Sequence, residues 1–375
     1  MPYQDFNRIE IDLGALSHNF NALKTIAGHE TWVLAVVKSD AYGHGLVEVA
    51  RQLAIDGVSG FAVFDLNEAV ALRSAGITAP ILLLSGIAPG DEAGCLELGL
   101  TCGATSFQML DSLEQEAKRH GKKATVHIKV DTGMGRMGFD RNEFFCAIKD
   151  CARWPHIKMK GIYSHFSSAD EPDDPMNKDQ IAAFCHMIKG ARQAGWRPEI
   201  IHLANSAGLI HFKEARFNAV RPGLALYGAY PGEKSKGRII LRPVMHLKSR
   251  VISVRRLPAG SGISYGHAFV TKRASKIAVI PVGYDDGYPR ALSGKAEVLI
   301  RGRRMPVVGR ICMKSMMVDV TDMDGISTGE EVVVLGRQEN EAITIEELAE
   351  WAGTISYELL CLLGTRNRRH FIKRN

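Results

Sequence analysis

The sequence predicts an α/β plus β chain: an N-terminal (β/α)8, TIM-like barrel over residues 1–232, then a mainly β C-terminal domain over residues 233–375. Three observations carry this. Short apolar, β-branched runs alternate with amphipathic stretches through the first part of the chain. A stretch rich in Pro, Gly and charge then interrupts the pattern. Beyond it the runs are short and separated by turn signals instead of helices.

The candidate barrel strands are residues 32–37, 60–64, 81–84, 101–104, 124–130, 158–163, 200–203 and 217–220. Helical stretches lie between them, for example 65–75 and 108–120, with Gly76 and Gly121 placed where a helix would end. Eight such units suit a closed barrel. An open doubly wound sheet of fewer units satisfies the same alternation. Residues 1–12 precede the first unit and are a candidate to pair with the second domain. Tyr227-Gly-Ala-Tyr-Pro-Gly-Glu-Lys-Ser-Lys-Gly237 reads as a linker. After it, strand-like runs occupy 244–254, 277–282, 297–300, 316–320 and 331–335, with turns at Pro258-Ala-Gly, Asp286-Gly and Asp324-Gly. One helix is expected over 344–352, with Thr344 as its N-cap and Glu346 and Glu347 in its first turn.

The 375 residues suit two domains, and 46% hydrophobic with 23% charged residues is ordinary for a soluble protein. The net charge of +6 is mild. Its local clusters, 234–238 and 366–373, form no dense stripe, which argues against nucleic-acid binding. The first residues lack the apolar core of a signal peptide, and no run is long enough to span a bilayer. Seven cysteines without a C-x-x-C point away from disulfides and metal knuckles and toward a reducing cytoplasm. No metal is expected.

Catalytic groups of such a barrel sit at the C-terminal ends of its strands. The first strand ends in Lys38. The fifth carries His127, Lys129 and Asp131 on one face and runs on to Arg136. The sixth ends in Ser164-His165, the seventh in Ala204-Asn-Ser-Ala-Gly208, and the eighth in Arg221-Pro-Gly. Cations and glycine turns on one mouth suggest a phosphate, with Ser206, the Ala207–Gly208 amides and the Gly223–Leu224 amides as donors. A buried lysine beside it suggests a Schiff base, since desolvation brings the amine down from its free value of ~10.4.

At this point the residues resemble a known family. Ala35-Val-Val-Lys-Ser-Asp-Ala-Tyr-Gly-His-Gly45 is similar to the pyridoxal-phosphate attachment motif of alanine racemases. The likeness extends to Lys129-Val-Asp-Thr-Gly-Met-Gly-Arg-Met-Gly138, Tyr163-Ser-His165, His202-Leu-Ala-Asn-Ser206 and Arg221-Pro-Gly-Leu-Ala-Leu-Tyr-Gly228. In the second domain it includes Ser264-Tyr-Gly-His267, Val282-Gly-Tyr-Asp-Asp-Gly287, Gly309-Arg-Ile-Cys-Met313 and Ser356-Tyr-Glu358.

The resemblance implies a cytoplasmic homodimer with shared active sites that interconverts L- and D-alanine and supplies D-alanine for peptidoglycan. It implies that Lys38 is the Schiff-base lysine and one acid–base group, and that Tyr265 of the partner chain is the other. Arg221 faces the pyridine nitrogen, and His165 links Arg221 toward Tyr265. Tyr42, Asn205, Ser206 and Tyr357 hold the cofactor with backbone near Gly223 and Leu224. Arg136 and the Met313 backbone orient the substrate carboxylate, and Lys129 matches a lysine carbamylated in some members. Lys314 departs from the family pattern, which has Asp or Asn there. A racemase for serine or a basic amino acid, a decarboxylase of the same barrel class using Cys312, and a single-barrel cofactor-binding protein without enzyme activity, against which Tyr265 and the chain after Gly237 speak, are the competing readings.

Overall fold

The structure is a computed structural model that describes residues 6–373. Its first strand, β1 (Arg8–Asp12), stands outside the barrel. It pairs antiparallel with Met245–Arg250, Ile9 opposite Leu247, and parallel with Arg369–Ile372, Ile9 opposite Arg369. Residues 1–5 lie outside the described residues. The Asp12 carboxylate then caps the helix Leu13–Ala27 by accepting from the Gly14 and Ala15 amides at 2.9 and 3.1 Å.

Eight parallel strands close the barrel: β2 (Trp32–Val36), β3 (Gly60–Val63), β4 (Ile81–Leu83), β5 (Thr101–Ala104), β6 (Ala124–Lys129), β7 (Ile157–Tyr163), β8 (Ile200–His202) and β9 (Ala219–Val220). β2 pairs with β9, Trp32 beside Ala219, so no edge remains and the open-sheet alternative falls. All eight predicted runs become strands. Those buried on both faces are apolar without alternation, the pattern of a covered parallel sheet. The two helices expected early form as Leu66–Ser74 and Phe107–Arg119, capped by the Asp65 and Ser106 side chains. Gly76 and Gly121 follow them with φ of +84° and +60°, where a side chain would be strained.

The segment read as a linker is packed instead. Tyr227, Gly228 and Ala229 are buried, and the Tyr227 hydroxyl donates to the Val36 carbonyl at 2.9 Å. A Cβ on Gly228 would come within 2.0 Å of the Arg242 carbonyl, so its glycine serves close approach, not flexibility. The basic cluster that follows is neutralised locally: Lys234 pairs with Asp173 at 2.5 Å and Lys236 with Glu233 at 2.7 Å.

The second domain is built on one large, mostly antiparallel sheet. The run 244–254 splits into β10 (Met245–Arg250) and Ser253–Leu257, which pair with different neighbours. Ser275–Ile280, Glu297–Ile300, Met316–Asp319 and Glu331–Gln338 match expected strands. Arg303–Val308 adds one that was not expected, hydrogen-bonded on both sides. The helix Ile345–Ala352 forms with a reciprocal cap between Thr344 and Glu347. A second helix, Ser356–Arg366, was not foreseen and brings Tyr357 to the barrel mouth.

One local conformation is unusual. After Lys38 the chain makes a left-handed turn: Ser39, Asp40, Ala41 and Tyr42 have φ of 54°, 53°, 54° and 55°. Left-handed helical backbone costs a residue with a Cβ about 1–2 kcal/mol. Four such residues in succession persist only where surrounding contacts hold them.

Candidate active site

A cavity of about 370 Å³ opens at the C-terminal mouth of the barrel. Lys38 enters it from the end of β2, Lys129 from β6, Tyr163 and His165 from β7, Asn205 and Ser206 from β8, and Arg221 from β9. Tyr42, Arg136, Gly223, Leu224 and Tyr357 complete the predicted set that lines it. Tyr265 and Met313 do not: both lie on the second domain of the same chain, 67% and 58% exposed. A second cavity, about 330 Å³ near Tyr227, His246 and Glu346, has no lysine in its lining.

Four cations face or flank the first cavity and no carboxylate lines it. Burial lowers the Lys38 ammonium from its ordinary value, and the nearby Arg136 adds to this. Lys129 is brought down to about 8 by burial and by Arg221 and Arg136, against the pull of Asp131. Asp131 is not its hydrogen-bonded partner. Its carboxylate accepts from the Gly133 and Met134 amides at 2.8 Å and the Arg136 amide at 3.2 Å. Burial would raise that carboxyl, but these amides hold it below the usual range.

Arg221 is the organising residue. Burial pulls it down to about 10, so it keeps its charge near neutrality. One terminal nitrogen donates to His202 Nδ1 at 2.6 Å and the His202 carbonyl at 3.0 Å. The other donates to the Ser164 carbonyl at 2.6 Å, the Leu203 carbonyl at 3.2 Å and His165 Nδ1 at 3.4 Å. A guanidinium only donates, so both histidines accept through Nδ1 and carry their protons on Nε2. Burial and the Arg221 charge hold both well below the ordinary histidine value. His202 Nε2 then donates to His127 Nδ1 at 2.8 Å. The Tyr163 ring stacks on His202 with centroids 4.9 Å apart and lies under both Lys129 and Arg221, each 5.3 Å from its centre. Tyr163 and His202 were quoted in motifs without a role. Tyr163 is the last residue of β7, two residues before His165, and His202 is the last residue of β8.

Two of the expected anion donors are already engaged. The Gly208 amide donates at 2.9 Å to Oδ1 of Asn205, the N-cap of that helix, and the Gly223 amide donates at 2.9 Å to Ser206 Oγ, which ties the loop after β8 to the loop after β9. Ser206 Oγ accepts from Ala225 as well, which leaves its own proton to donate. Tyr42 and Tyr357 are kept neutral by burial, Tyr357 pushed up to about 12. Both therefore present hydroxyl donors. A Cβ on Gly223 would meet the Tyr42 hydroxyl at 2.5 Å, so only glycine leaves this floor open. Neutral donors at one end and cations around the walls fit a phosphate and a carboxylate.

Lys314, the departure from the pattern, turns to its own domain. Its ammonium lies 2.7 Å from Asp285 and 2.8 Å from Asp286. The same turn binds the loop before it: the Tyr284 and Asp285 amides donate to the Cys312 and Met313 carbonyls at 3.1 and 3.0 Å. Among the described residues no group of three or more His, Cys, Asp or Glu is arranged to hold a metal, and no helix is long and apolar enough to cross a membrane.

Comparison with known proteins agrees over the full length. Residues 11–231 match the alanine racemase N-terminal domain and residues 244–371 the alanine racemase C-terminal domain. Alanine racemase 2 of Caldanaerobacter subterraneus subsp. tengcongensis is 40% identical over 371 residues, 98% of this chain and 95% of that protein. The crystal structure of alanine racemase from Streptomyces lavendulae superposes with a TM-score of 0.94 at 34% identity, covering 100% of this chain and 98% of that one. The Bartonella henselae alanine racemase, solved with covalently bound pyridoxal phosphate, has a TM-score of 0.90 at 31% identity, over 98% of this chain and 100% of that one. Full-length identity and a shared two-part fold place the chain in the alanine racemase family of isomerases.

Proposed function

We propose that this protein interconverts L- and D-alanine with pyridoxal phosphate held on Lys38, using Tyr265 of a second copy of the chain as the opposite acid–base group. One observation carries the reading: the barrel-mouth cavity sets a lysine of lowered basicity among further cations, with no carboxylate in its lining. Such a chamber selects an anionic, amine-reactive cofactor and an amino-acid carboxylate.

Pyridoxal phosphate, when bound, withdraws electrons from the α-carbon of the amino acid and acidifies its C–H. Everything else falls to the chain. Tyr42, Ser206 and Tyr357, with the Leu224 amide, bind the phosphate, Gly223 leaves the floor open for it, and Asn205 fixes Ser206 by capping its helix. Arg221 faces the pyridine nitrogen with donors alone, so it holds that nitrogen without giving it a proton. Arg136 and the Met313 backbone of the second copy orient the carboxylate. The Lys38 amine takes or returns the α-proton on one face, and Tyr265 serves the other. His165, its Nε2 proton fixed by Arg221, lends that N–H to Tyr265. Lys129, partly neutral near pH 8, takes up carbon dioxide, and the carbamate becomes the anionic partner of Arg136.

The reading includes a cytoplasmic homodimer whose D-alanine feeds peptidoglycan, with no nucleic-acid or membrane partner. The test is L-alanine in deuterium oxide with the purified protein. Optical activity decays and deuterium enters the α-position, while Lys38→Ala loses both the activity and the visible cofactor absorption. Carbon dioxide release would indicate the decarboxylase, and faster turnover of serine or lysine would reassign the substrate.

A further inference from the structure

The left-handed turn after Lys38 is fastened from outside the cavity. Glu68 accepts the Ser39 amide at 2.5 Å and the Phe64 amide at 2.7 Å. Asp40 accepts the Leu46 amide through Oδ1 at 2.7 Å, and its Oδ2 pairs with Arg369. The same Arg369 nitrogen donates to the Gly43 carbonyl at 3.1 Å. His44, buried and held neutral by desolvation, places Nδ1 3.0 Å from both the Ala41 and Tyr42 carbonyls. Further on, Phe371 covers Gly45, where an added Cβ would meet its ring at 2.8 Å, and Gly364 packs on the Gly43 carbonyl. Four of these contacts come from three residues, Gly364, Arg369 and Phe371, more than three hundred positions away in sequence.

Lys38 and Tyr42 bracket the turn, and both line the cavity; Asp40 and Arg369 do not. A chain of residues with Cβ atoms defaults to the right-handed conformation, so the turn is held, not preferred. We propose that Arg369 and Asp40 are positioning residues: their ion pair locks the left-handed turn in the conformation that aims the Lys38 amine and the Tyr42 hydroxyl into one cavity. This rests on the reading that Lys38 carries the cofactor.

The test uses the cofactor-loaded, full-length enzyme. Arg369→Gln and Asp40→Asn, singly and together, are assayed for kcat, KM for alanine and the pH midpoint of the bound cofactor's visible absorption. Each single variant is expected to lower kcat about ten- to a hundredfold, with KM changed less than about twofold, because no group that binds alanine is removed. The absorption midpoint shifts by about half a unit or more as the amine leaves its desolvated position. The double variant is no worse than either single one, since both break the same contact. Ser39→Gly, which accepts positive φ without a Cβ, recovers part of the Arg369→Gln loss. Should Arg369→Gln not fold, Asp40→Asn carries the test alone, since it keeps the size of the side chain. Unchanged kcat and midpoint in the single variants overturn the proposal, as does a lowered melting temperature with an unmoved midpoint. Borohydride fixation and peptide mapping of the unaltered enzyme separate the underlying reading: cofactor found on a residue other than Lys38 overturns that reading instead.

Discussion

Arg221 and His202 meet at 2.6 Å with the arginine as the only donor, and this one contact fixes a proton two rings away. His202 accepts through Nδ1, donates through Nε2 to His127, and stays neutral. Arg221→Lys keeps the charge but loses the fork that serves the Ser164, Leu203 and His202 carbonyls. Each buried carbonyl left without its donor costs about 1–3 kcal/mol. Urea unfolding should therefore report a loss of at least ~2 kcal/mol, and nitrogen NMR of the His202 ring a mixture of tautomers. A variant with native stability and one tautomer would show that the fork is dispensable.

Lys129 gives a pH dependence whose sign is set. Its folded value is lowered to about 8 from 10.5, so the native state binds fewer protons than the unfolded chain between those values. Stability contributed by this site therefore rises as pH climbs from about 8 to 10.5, and below 8 its buried charge is a constant penalty. Lys129→Met should flatten that rise in denaturation midpoints. In the intact protein supplied with labelled bicarbonate, a carbamate carbon resonance should appear and vanish in the same variant. An identical pH slope in both proteins would place the effect elsewhere.

Lys314→Asn removes an ammonium held between Asp285 and Asp286. The ammonium is mostly exposed, so stability should fall by no more than ~1 kcal/mol. Asp286 keeps its bond to the Gly283 amide, but the Met313 loop loses a brace. Turnover should change by a few-fold, with a difference that shrinks in high salt. Kinetics equal to the unaltered protein at every salt concentration would make the position silent.

The proposed sharing of sites between two copies predicts complementation. Lys38→Ala and Tyr265→Phe proteins should each be inactive alone. Mixed in equal amounts and allowed to exchange subunits, they should recover roughly a quarter of the normal activity, because half the dimers carry one intact site of two. No recovery despite proven exchange would put both groups in one subunit.

The barrel was legible because each strand is a short apolar run between strong turn signals, and closure follows once eight such runs are placed. The second domain was less so. Arg303–Val308 begins with two arginines and contains Pro306, yet pairs on both sides. The helix Ser356–Arg366 hides its buried Leu359, Leu360 and Leu363 in a run with little amphipathic contrast. In the site, strand-end position revealed Lys38, Arg221 and Ser206. The left-handed turn was invisible, because Ser-Asp-Ala-Tyr contains no glycine to announce it, and its supports arrive from Glu68 and Arg369. Lys314 pointed neither into the site nor freely outward, since its partners were neighbours only through a tertiary turn.

The strand Arg369–Ile372 lies beside β1, so segments more than three hundred residues apart share one sheet. Lys38 emerges early in synthesis, yet the brace for its turn is translated 329 residues after Asp40. A nascent barrel thus carries its lysine long before that lysine can be held in place. The turn at the barrel mouth is therefore set only once Arg369 has been made, and a ribosome stalled before it would display a barrel without that brace.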